Sequence, residues 1–218
     1  ENNGAADPSF TQRVVSITAD YANEVSVGDV DGDGDLDILS VSQNDDKIAW
    51  YENDGMADPT FTQRVVSTSV TTPLGIQVGD VDGDGDLDIL SASLHDDKIA
   101  WYENNGAADP SFTQRVVSIT ADGAQSLHVG DMDGDGDLDI LSASKNDDVI
   151  AWYENNGATD PSFTKRVVST TANTLRDVHV GDVDGDGDLD ILSASSVDDI
   201  IAWYENNGAA DPSFTQRV

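Results

Sequence analysis

Short runs of β-branched and aromatic residues alternate along the chain with clusters of Gly, Asn, Asp and Pro. In the first stretch these runs cover residues 24–28, 37–42, 47–52 and 61–66. Runs of this kind, bounded by turn-forming residues, are typical of β-strands. No stretch of about ten residues or more carries the 3.6-residue apolar period of a helix without glycine or proline breakers. The pattern therefore predicts strands throughout and no helix.

The same pattern recurs at a fixed interval. The run Trp-Tyr-Glu-Asn begins at Trp50, Trp101, Trp152 and Trp203, so successive copies are 51 residues apart. Four strands at a period of about 50 residues match one blade of a β-propeller, whose sheet buries its faces against neighbouring blades around an axis. A parallel β-helix, the structural rival, has a rung of about half this length. We name the strands of a blade A to D, from the axis outward.

The predicted fold is therefore all-β, a β-propeller of four-stranded antiparallel blades with four 51-residue blades in this chain. Residues 1–14 repeat residues 205–218, so the ends of the chain duplicate part of one copy. No linker or low-complexity segment interrupts the array, which predicts a single domain over residues 1–218. Its predicted divisions are a redundant outer strand at 1–16, blade 1 at 17–67, blade 2 at 68–118, blade 3 at 119–169 and blade 4 at 170–218.

The charge of the chain excludes two classes of partner. Asp and Glu number 43 against 10 Lys and Arg, for a formal net charge of -33. Nucleic acids and anionic membrane surfaces are bound through clustered basic residues, which this composition does not supply. The longest apolar runs have five residues, whereas a spanning helix needs about 20. The chain has no cysteine, which excludes disulfides, thiolate metal sites and a cysteine nucleophile.

An acidic loop follows the first predicted strand of each copy. Residues 29–37 read Asp-Val-Asp-Gly-Asp-Gly-Asp-Leu-Asp, which places five carboxylates in nine residues. Unit charges about 5 Å apart repel by about 0.8 kcal/mol in water, and a divalent cation reverses the sign. Side-chain oxygens at positions 1, 3, 5 and 9, with the backbone carbonyl at position 7, follow the ligand scheme of the EF-hand loop. Position 12 is Ser40 instead of Glu, so Asp37 at position 9 is expected to close the shell.

We expect one Ca²⁺ in each loop and four in the chain, because the ligands are hard oxygens and a hairpin loop is too flexible for the strict octahedron of Mg²⁺. The loops hold 20 of the 43 acidic residues, so metal binding and folding should be coupled. The predicted metal-binding residues are Asp29, Asp31, Asp33, Asp35, Asp37, Asp80, Asp82, Asp84, Asp86, Asp88, Asp131, Asp133, Asp135, Asp137, Asp139, Asp182, Asp184, Asp186, Asp188 and Asp190.

These loops give the chain a family resemblance. Blades with Asp-x-Asp-x-Asp-Gly-x-x-Asp between the first two strands resemble the FG-GAP/VCBS repeat, which occurs in integrin α-subunit propellers, bacterial surface proteins and some fungal lectins. The resemblance covers essentially the whole chain. Residues 39–42 read Leu-Ser-Val-Ser where FG-GAP repeats carry Gly-Ala-Pro, so the VCBS-like branch is the closer match. The resemblance implies a calcium-binding propeller in a secreted or cell-surface bacterial protein.

Tryptophan and histidine residues are the other candidates for ligand contact. The four Trp residues that open the repeated run can either stack on sugar rings or fill the space between blades. His128 and His179 occupy equivalent places in strand A, where the other copies have Ser26 and Gln77. They can line a site in the central channel or occupy a position that accepts different polar residues. The copies also differ in the D-to-A connection and the B-to-C turn, and both segments should emerge on the same face of the blades. Contact with a ligand and sequence drift at positions without packing constraints both explain that variation.

The chain is predicted not to be an enzyme. A nucleophile, its base and an orienting group must converge asymmetrically, and four nearly equivalent copies provide no such asymmetry. The leading interpretation is a non-catalytic binding or display module whose partner is a protein or a glycan. A lectin with sites between blades and a purely structural repeat array, engineered or recently amplified, are the alternatives. For ring closure we expect self-association into an eight-bladed homodimer in preference to a four-bladed monomer.

Overall fold

The computed structural model describes Asp7 and residues 9–217. Within these residues the chain is all-β, as predicted, and has no helix, so none is long and apolar enough to cross a membrane. The strands are β1 (Ala22–Gly28), β2 (Asp37–Ser42), β3 (Lys47–Asn53), β4 (Phe61–Ser67), β5 (Pro73–Gly79), β6 (Asp88–Ser93), β7 (Lys98–Asn104), β8 (Phe112–Ser118), β9 (Ala124–Gly130), β10 (Asp139–Ser144), β11 (Val149–Asn155), β12 (Phe163–Ser169), β13 (Leu175–Gly181), β14 (Asp190–Ser195), β15 (Ile200–Asn206) and β16 (Phe214–Arg217).

The strands form four separate antiparallel sheets, each built from four strands that are consecutive in the sequence. Blade 1 has the order β1-β2-β3-β4, and the other three sheets repeat this order. The register repeats as well: Trp50 lies opposite Leu39 on one side and Arg64 on the other. Hairpins between sequence neighbours are the simplest way to pair strands separated by short turns. The predicted four-stranded blades are therefore confirmed.

The hydrophobic core is divided into three clusters, each lying between two consecutive blades. Between blades 1 and 2, for example, Ile48 and Trp50 pack with Ile76 and Tyr102. We call the side of a blade that packs on the next blade its following face, and the opposite side its preceding face. Burial of each such side chain contributes about 1.5–3 kcal/mol, so packing between neighbouring blades stabilises the array.

The innermost strands β1, β5, β9 and β13 pack side by side in that order. Side-chain hydrogen bonds join them, as where Asn23 Nδ2 donates to the carbonyl oxygen of Leu74 in the next blade at 3.1 Å. No comparable packing joins β13 back to β1. The four blades therefore form an open array within one chain.

The predicted redundant outer strand lies partly outside the described residues, because residues 1–6 and 8 are not described. Residues 9–16 belong to none of the four sheets, and Phe10 makes an isolated bridge. This segment lies against blade 1 as β4 lies against blade 2. Arg13 pairs with Asp58 at 3.2 Å, and the equivalent Arg64 pairs with Asp109 at 3.3 Å. The segment thus holds the place of an outer strand from a preceding blade.

Candidate metal centre

The acidic loop connects strand A to strand B in every blade, and its ninth residue opens strand B. In blade 1, Gly32 and Gly34 have φ values of 73° and 97°, which only glycine adopts readily. Asp29 Oδ2 accepts a hydrogen bond from the Gly34 amide at 3.0 Å, and Asp33 Oδ1 accepts one from the Asp35 amide at 2.9 Å. These bonds coil the loop tightly.

Three carboxylates converge in each loop. One oxygen from each member lies within 4.8 Å of the other two, which is close enough for a single metal ion to contact all three. In blades 2, 3 and 4 the members are positions 1, 3 and 9, whereas in blade 1 they are positions 1, 3 and 5. The four triads are Asp29, Asp31 and Asp33; Asp80, Asp82 and Asp88; Asp131, Asp133 and Asp139; and Asp182, Asp184 and Asp190.

The aspartate at position 9 is the structural brace of the loop. Asp88 is 1% exposed, and its two carboxylate oxygens accept hydrogen bonds from the Val81 amide at 3.0 Å and the Asn104 amide at 2.8 Å. One bond closes the acidic loop, and the other joins the loop to the end of strand C. The same pair of bonds is made by Asp37, Asp139 and Asp190.

The aspartate at position 7 directs its carboxylate away from the triad. Asp86 lies against Gly106 in the loop between strands C and D, so closely that a Cβ on that glycine would overlap its Oδ2. Gly106 also has a φ of 63°. The equivalent residues Asp35, Asp137 and Asp188 lie in the same way against Gly55, Gly157 and Gly208. The side chain at position 7 therefore packs against the loop between strands C and D, and a role for its backbone carbonyl in metal binding stays a prediction.

The electrostatics of the loop favour a cation. Burial raises the pKa of Asp88 and of Asp139 to about 7, against the opposing effect of two amide hydrogen bonds on each. Burial, and then the repulsion of neighbouring carboxylates, also raises the pKa of Asp82 and Asp133 at position 3. A raised carboxyl pKa means that the negative form is held at a cost. A divalent ion removes that cost.

Two buried oxygens test whether an ion fits. Asp29 Oδ1 and Asp80 Oδ1, at position 1 of their loops, are inaccessible to solvent and have no hydrogen-bond partner. Native structures rarely leave buried polar atoms unpaired. A cation within the triad would satisfy these oxygens, and an all-oxygen donor set suits Ca²⁺.

An asparagine at the end of strand C links consecutive loops. Asn104 Nδ2 donates to the Leu87 carbonyl in its own acidic loop at 3.0 Å and to the Val30 carbonyl in the loop of the preceding blade at 2.9 Å. Asn155 and Asn206 make equivalent pairs of bonds. Sequence reasoning missed this residue, although the constant Trp-Tyr-Glu-Asn run carries it. These asparagines thereby connect each acidic loop to the next.

The tryptophan candidates lie mainly in the core. Trp50, Trp101 and Trp152 are buried within the clusters between blades, and Trp203 is partly buried on the last blade. The guanidinium of Arg166 lies 5.6 Å from the ring centroid of Trp152. These rings present little free surface on which a sugar can stack.

The histidine candidates meet on the inner strands. The rings of His128 and His179 have centroids 4.0 Å apart. Each Nδ1 lies against the carbonyl oxygen of the following residue, at 3.0 Å for His128 and 2.8 Å for His179. Because a carbonyl only accepts, Nδ1 carries the proton in both rings. Burial and the neighbouring His179 lower the pKa of His128.

The variable segments of the four copies lie together on one face, as expected. The amide of Gln43 in the B-to-C turn donates to the Tyr21 carbonyl in the D-to-A connection at 3.0 Å. The equivalent bonds join Leu94 to Thr72 and Lys145 to Gly123. The constant acidic loops lie at the other ends of strands A and B, so variation and the triads are on opposite faces of the array.

Comparison with known proteins gives one family. A family model described as FG-GAP-like repeat matches residues 29–91, 80–142 and 131–193. Each match begins at the first aspartate of an acidic loop and extends into strand B of the next blade. Comparison with curated proteins found no match.

Proposed function

Since the chain belongs to the FG-GAP-like repeat family, we propose that it is a calcium-binding, non-catalytic β-propeller module for binding or display in a secreted or cell-surface protein. The observation that carries the proposal is the carboxylate triad that recurs in all four blades. FG-GAP-like repeats are typical of extracellular proteins, where calcium on the order of 10⁻³ M is sufficient to occupy half or more of the sites of the weaker class.

The residues that would hold each ion are the carboxylates at positions 1 and 3, together with position 9 or, in blade 1, position 5. A bound ion supplies positive charge that offsets the repulsion within the loop. The chain's own contribution is the brace at position 9 and the asparagine bridge to the preceding loop, as seen at Asp88 and Asn104. Calcium binding should therefore stiffen the hairpin of one blade and its junction with the neighbouring blade.

The equivalence of the four copies supports a non-catalytic role. Acid–base chemistry with carboxyl groups needs two of them held in different environments. The triads repeat the same arrangement in blades 2, 3 and 4. Their carboxylates are also accounted for by one structural task, the binding of a cation that holds each blade together.

Thermal unfolding in calcium and in EDTA tests the proposal, with magnesium at the same concentration as the matched control. At a free calcium concentration about 100 times Kd, each site adds about 2.7 kcal/mol to the free energy of unfolding. We expect a large fall in Tm in EDTA, with little recovery in magnesium. A fall of only a degree or two would favour the alternative of a purely structural repeat array without a ligand.

A further inference from the structure

The innermost strands differ between blades that are otherwise nearly identical. In β9, Ser126 and His128 lie on either side of Leu127, which packs into the core between blades 2 and 3. Successive side chains of a strand point to opposite faces, so the serine and the histidine are directed away from that core. From blade 1 to blade 4 the first of these two positions is Glu24, Gly75, Ser126 and Asp177, and the second is Ser26, Gln77, His128 and His179. The aspartates of the acidic loops are the same in all four blades. The inner strands therefore give the junction between blades 3 and 4 a chemistry of its own.

Two side-chain contacts join β9 to β13 at this junction. Ser126 Oγ donates a hydrogen bond to Asp177 Oδ1 at 2.7 Å. Two residues further along each strand, the rings of His128 and His179 have their centroids 4.0 Å apart and their planes tilted by 45°. These four side chains form one polar cluster between two blades of the same chain, which we call the histidine junction.

Each imidazole of the histidine junction is held so that one nitrogen is left to bind a metal ion. The Nδ1 atoms of His128 and His179 donate to the carbonyl oxygens of Val129 and Val180, at 3.0 and 2.8 Å. Nε2 therefore carries a lone pair in both neutral rings. Within the part of the chain that the structure describes, neither Nε2 makes a hydrogen bond to the protein. A backbone carbonyl that accepts from the other ring nitrogen is a usual partner of a metal-binding histidine, because it fixes the tautomer and the ring orientation.

The spacing of the two rings suits a single ion. A Zn–N bond is about 2.0–2.1 Å long, so one ion can join two nitrogens that are up to about 4 Å apart. The ring centroids are 4.0 Å apart, and equivalent bonds to the following carbonyl hold both rings in the same way on neighbouring strands. Imidazole nitrogen suits zinc, copper and nickel, whereas Ca²⁺ takes oxygen ligands. The donor set of the histidine junction therefore differs in kind from that of the acidic loops.

We propose that His128 and His179 form a binding site for a divalent transition-metal ion such as Zn²⁺, with water completing the coordination shell. The carboxylate of Asp177 lies two residues before His179 on the same face of β13, about 7 Å along the strand. It supplies negative charge beside the ion, and its bond to Ser126 holds it in place. The site goes beyond the calcium-binding function proposed above and does not depend on it.

An ion at the histidine junction would cross-link two blades. The strands β9 and β13 belong to different sheets, so no backbone hydrogen-bond ladder connects them. The equivalent positions in blades 1 and 2 are Ser26 and Gln77, which offer no imidazole. The proposed site therefore occurs once in the chain, whereas the carboxylate triads occur in every blade.

Calorimetric titration with zinc chloride in excess calcium tests the proposal, on the chain without a polyhistidine tag. We expect one zinc ion per chain. Loss of a partner outside the coordination shell costs about 10–100-fold in metal affinity, so loss of a ligand in His128→Gln or His179→Gln should cost at least as much. Glutamine already occupies this position in blade 2, as Gln77, so both variants should keep the circular dichroism spectrum of the wild type.

His95→Gln is the matched control, because His95 is the remaining histidine of the chain. It lies in the turn between β6 and β7, where its Nδ1 is 2.8 Å from Thr72 Oγ1. H95Q should bind zinc with the affinity and stoichiometry of the wild type. Zinc that binds to the acidic loops instead would persist in H128Q and H179Q, so the variants separate the two kinds of site.

Electron paramagnetic resonance of the chain with one equivalent of Cu²⁺, again in excess calcium, identifies the ligands directly. The wild type and H95Q should show splitting from two imidazole nitrogens, and H128Q and H179Q should lose it. The absence of zinc binding in the wild type would overturn the proposal. Wild-type zinc affinity in either H128Q or H179Q, loss of zinc binding in H95Q, or a Cu²⁺ spectrum with oxygen ligands alone would overturn it as well.

Discussion

Replacing the position 9 aspartate separates the brace from the metal ligand. Asp88→Asn keeps the volume of the side chain but turns one acceptor oxygen into a donor, which then faces an amide N–H. One of the bonds to the Val81 and Asn104 amides, 3.0 and 2.8 Å long, is lost in the buried loop. A hydrogen bond to a charged group contributes about 1.5–3 kcal/mol. The removal of a buried negative charge offsets part of this, so we expect a loss of about 2 kcal/mol even in EDTA.

Asp82→Asn is the comparison, because Asp82 belongs to the same triad but makes only one long hydrogen bond, to the Asp84 amide at 3.3 Å. Its replacement removes repulsion within the loop. We expect D82N to leave the free energy of unfolding unchanged or slightly increased in EDTA. In calcium, both variants should lose the contribution of one site.

Urea denaturation followed by tryptophan fluorescence, at mildly alkaline pH with either excess calcium or EDTA, measures all four combinations. The reasoning is refuted if D88N is as stable as wild type in EDTA, since position 9 would then not be a brace. It is refuted equally if D82N costs as much in EDTA as in calcium, since the triad would then have a purely structural role.

Three further predictions concern glycine, asparagine and a partly buried acid. Gly83→Ala, at a φ of 74° with open space around a Cβ, should cost about 1 kcal/mol of stability. Gly106→Ala, where the Cβ meets the position 7 carboxylate, should cost about 2–3 kcal/mol of stability. Equal losses for the two glycine variants in urea denaturation would contradict the packing of that carboxylate against Gly106. Asn104→Ala removes bonds to two loops and should lower the free energy of unfolding by about 2 kcal/mol, whereas Asn53→Ala removes a bond to one loop and should lower it by about 1 kcal/mol. The pKa of Glu24, raised to about 7 from 4.5, means that the folded state loses stability as pH rises from about 4.5 to about 7. After a discount for solvent screening, we expect Glu24→Gln to increase the free energy of unfolding by about 1–2 kcal/mol at pH 8 and to leave it unchanged at pH 4. An effect on Tm that stays constant across this pH range would contradict the expectation.

The elements of the blade could be predicted from sequence because their signals are local. Strand B was expected at residues 37–42 and occurs at Asp37–Ser42, bounded on one side by the acidic loop and on the other by a turn. The repeated aspartates likewise identify the loops whose carboxylates converge. The alternation of apolar runs and turn-forming residues is sufficient to predict the strands, and the spacing of the aspartates is sufficient to predict the loops.

The roles of individual aspartates depend on contacts that spacing within the loop does not encode. Asp88 bonds the Asn104 amide 16 residues away, and the Asn104 side chain reaches a carbonyl 74 residues away. The side chain of Asp86 is directed outward because a glycine of another loop leaves room for it. The contacts of Asp88 and Asp86 exist only after the sheet of blade 2 has formed, and the bond from Asn104 to Val30 exists only after that blade has packed on the preceding one.

Calorimetric titration of the chelator-treated chain with calcium is the most direct measurement of what the acidic loops do. It should give four sites per chain, and D82N should give three while retaining its fold. No binding heat, or calcium uptake that D82N does not reduce, would show that these loops are solvated turns and not metal sites.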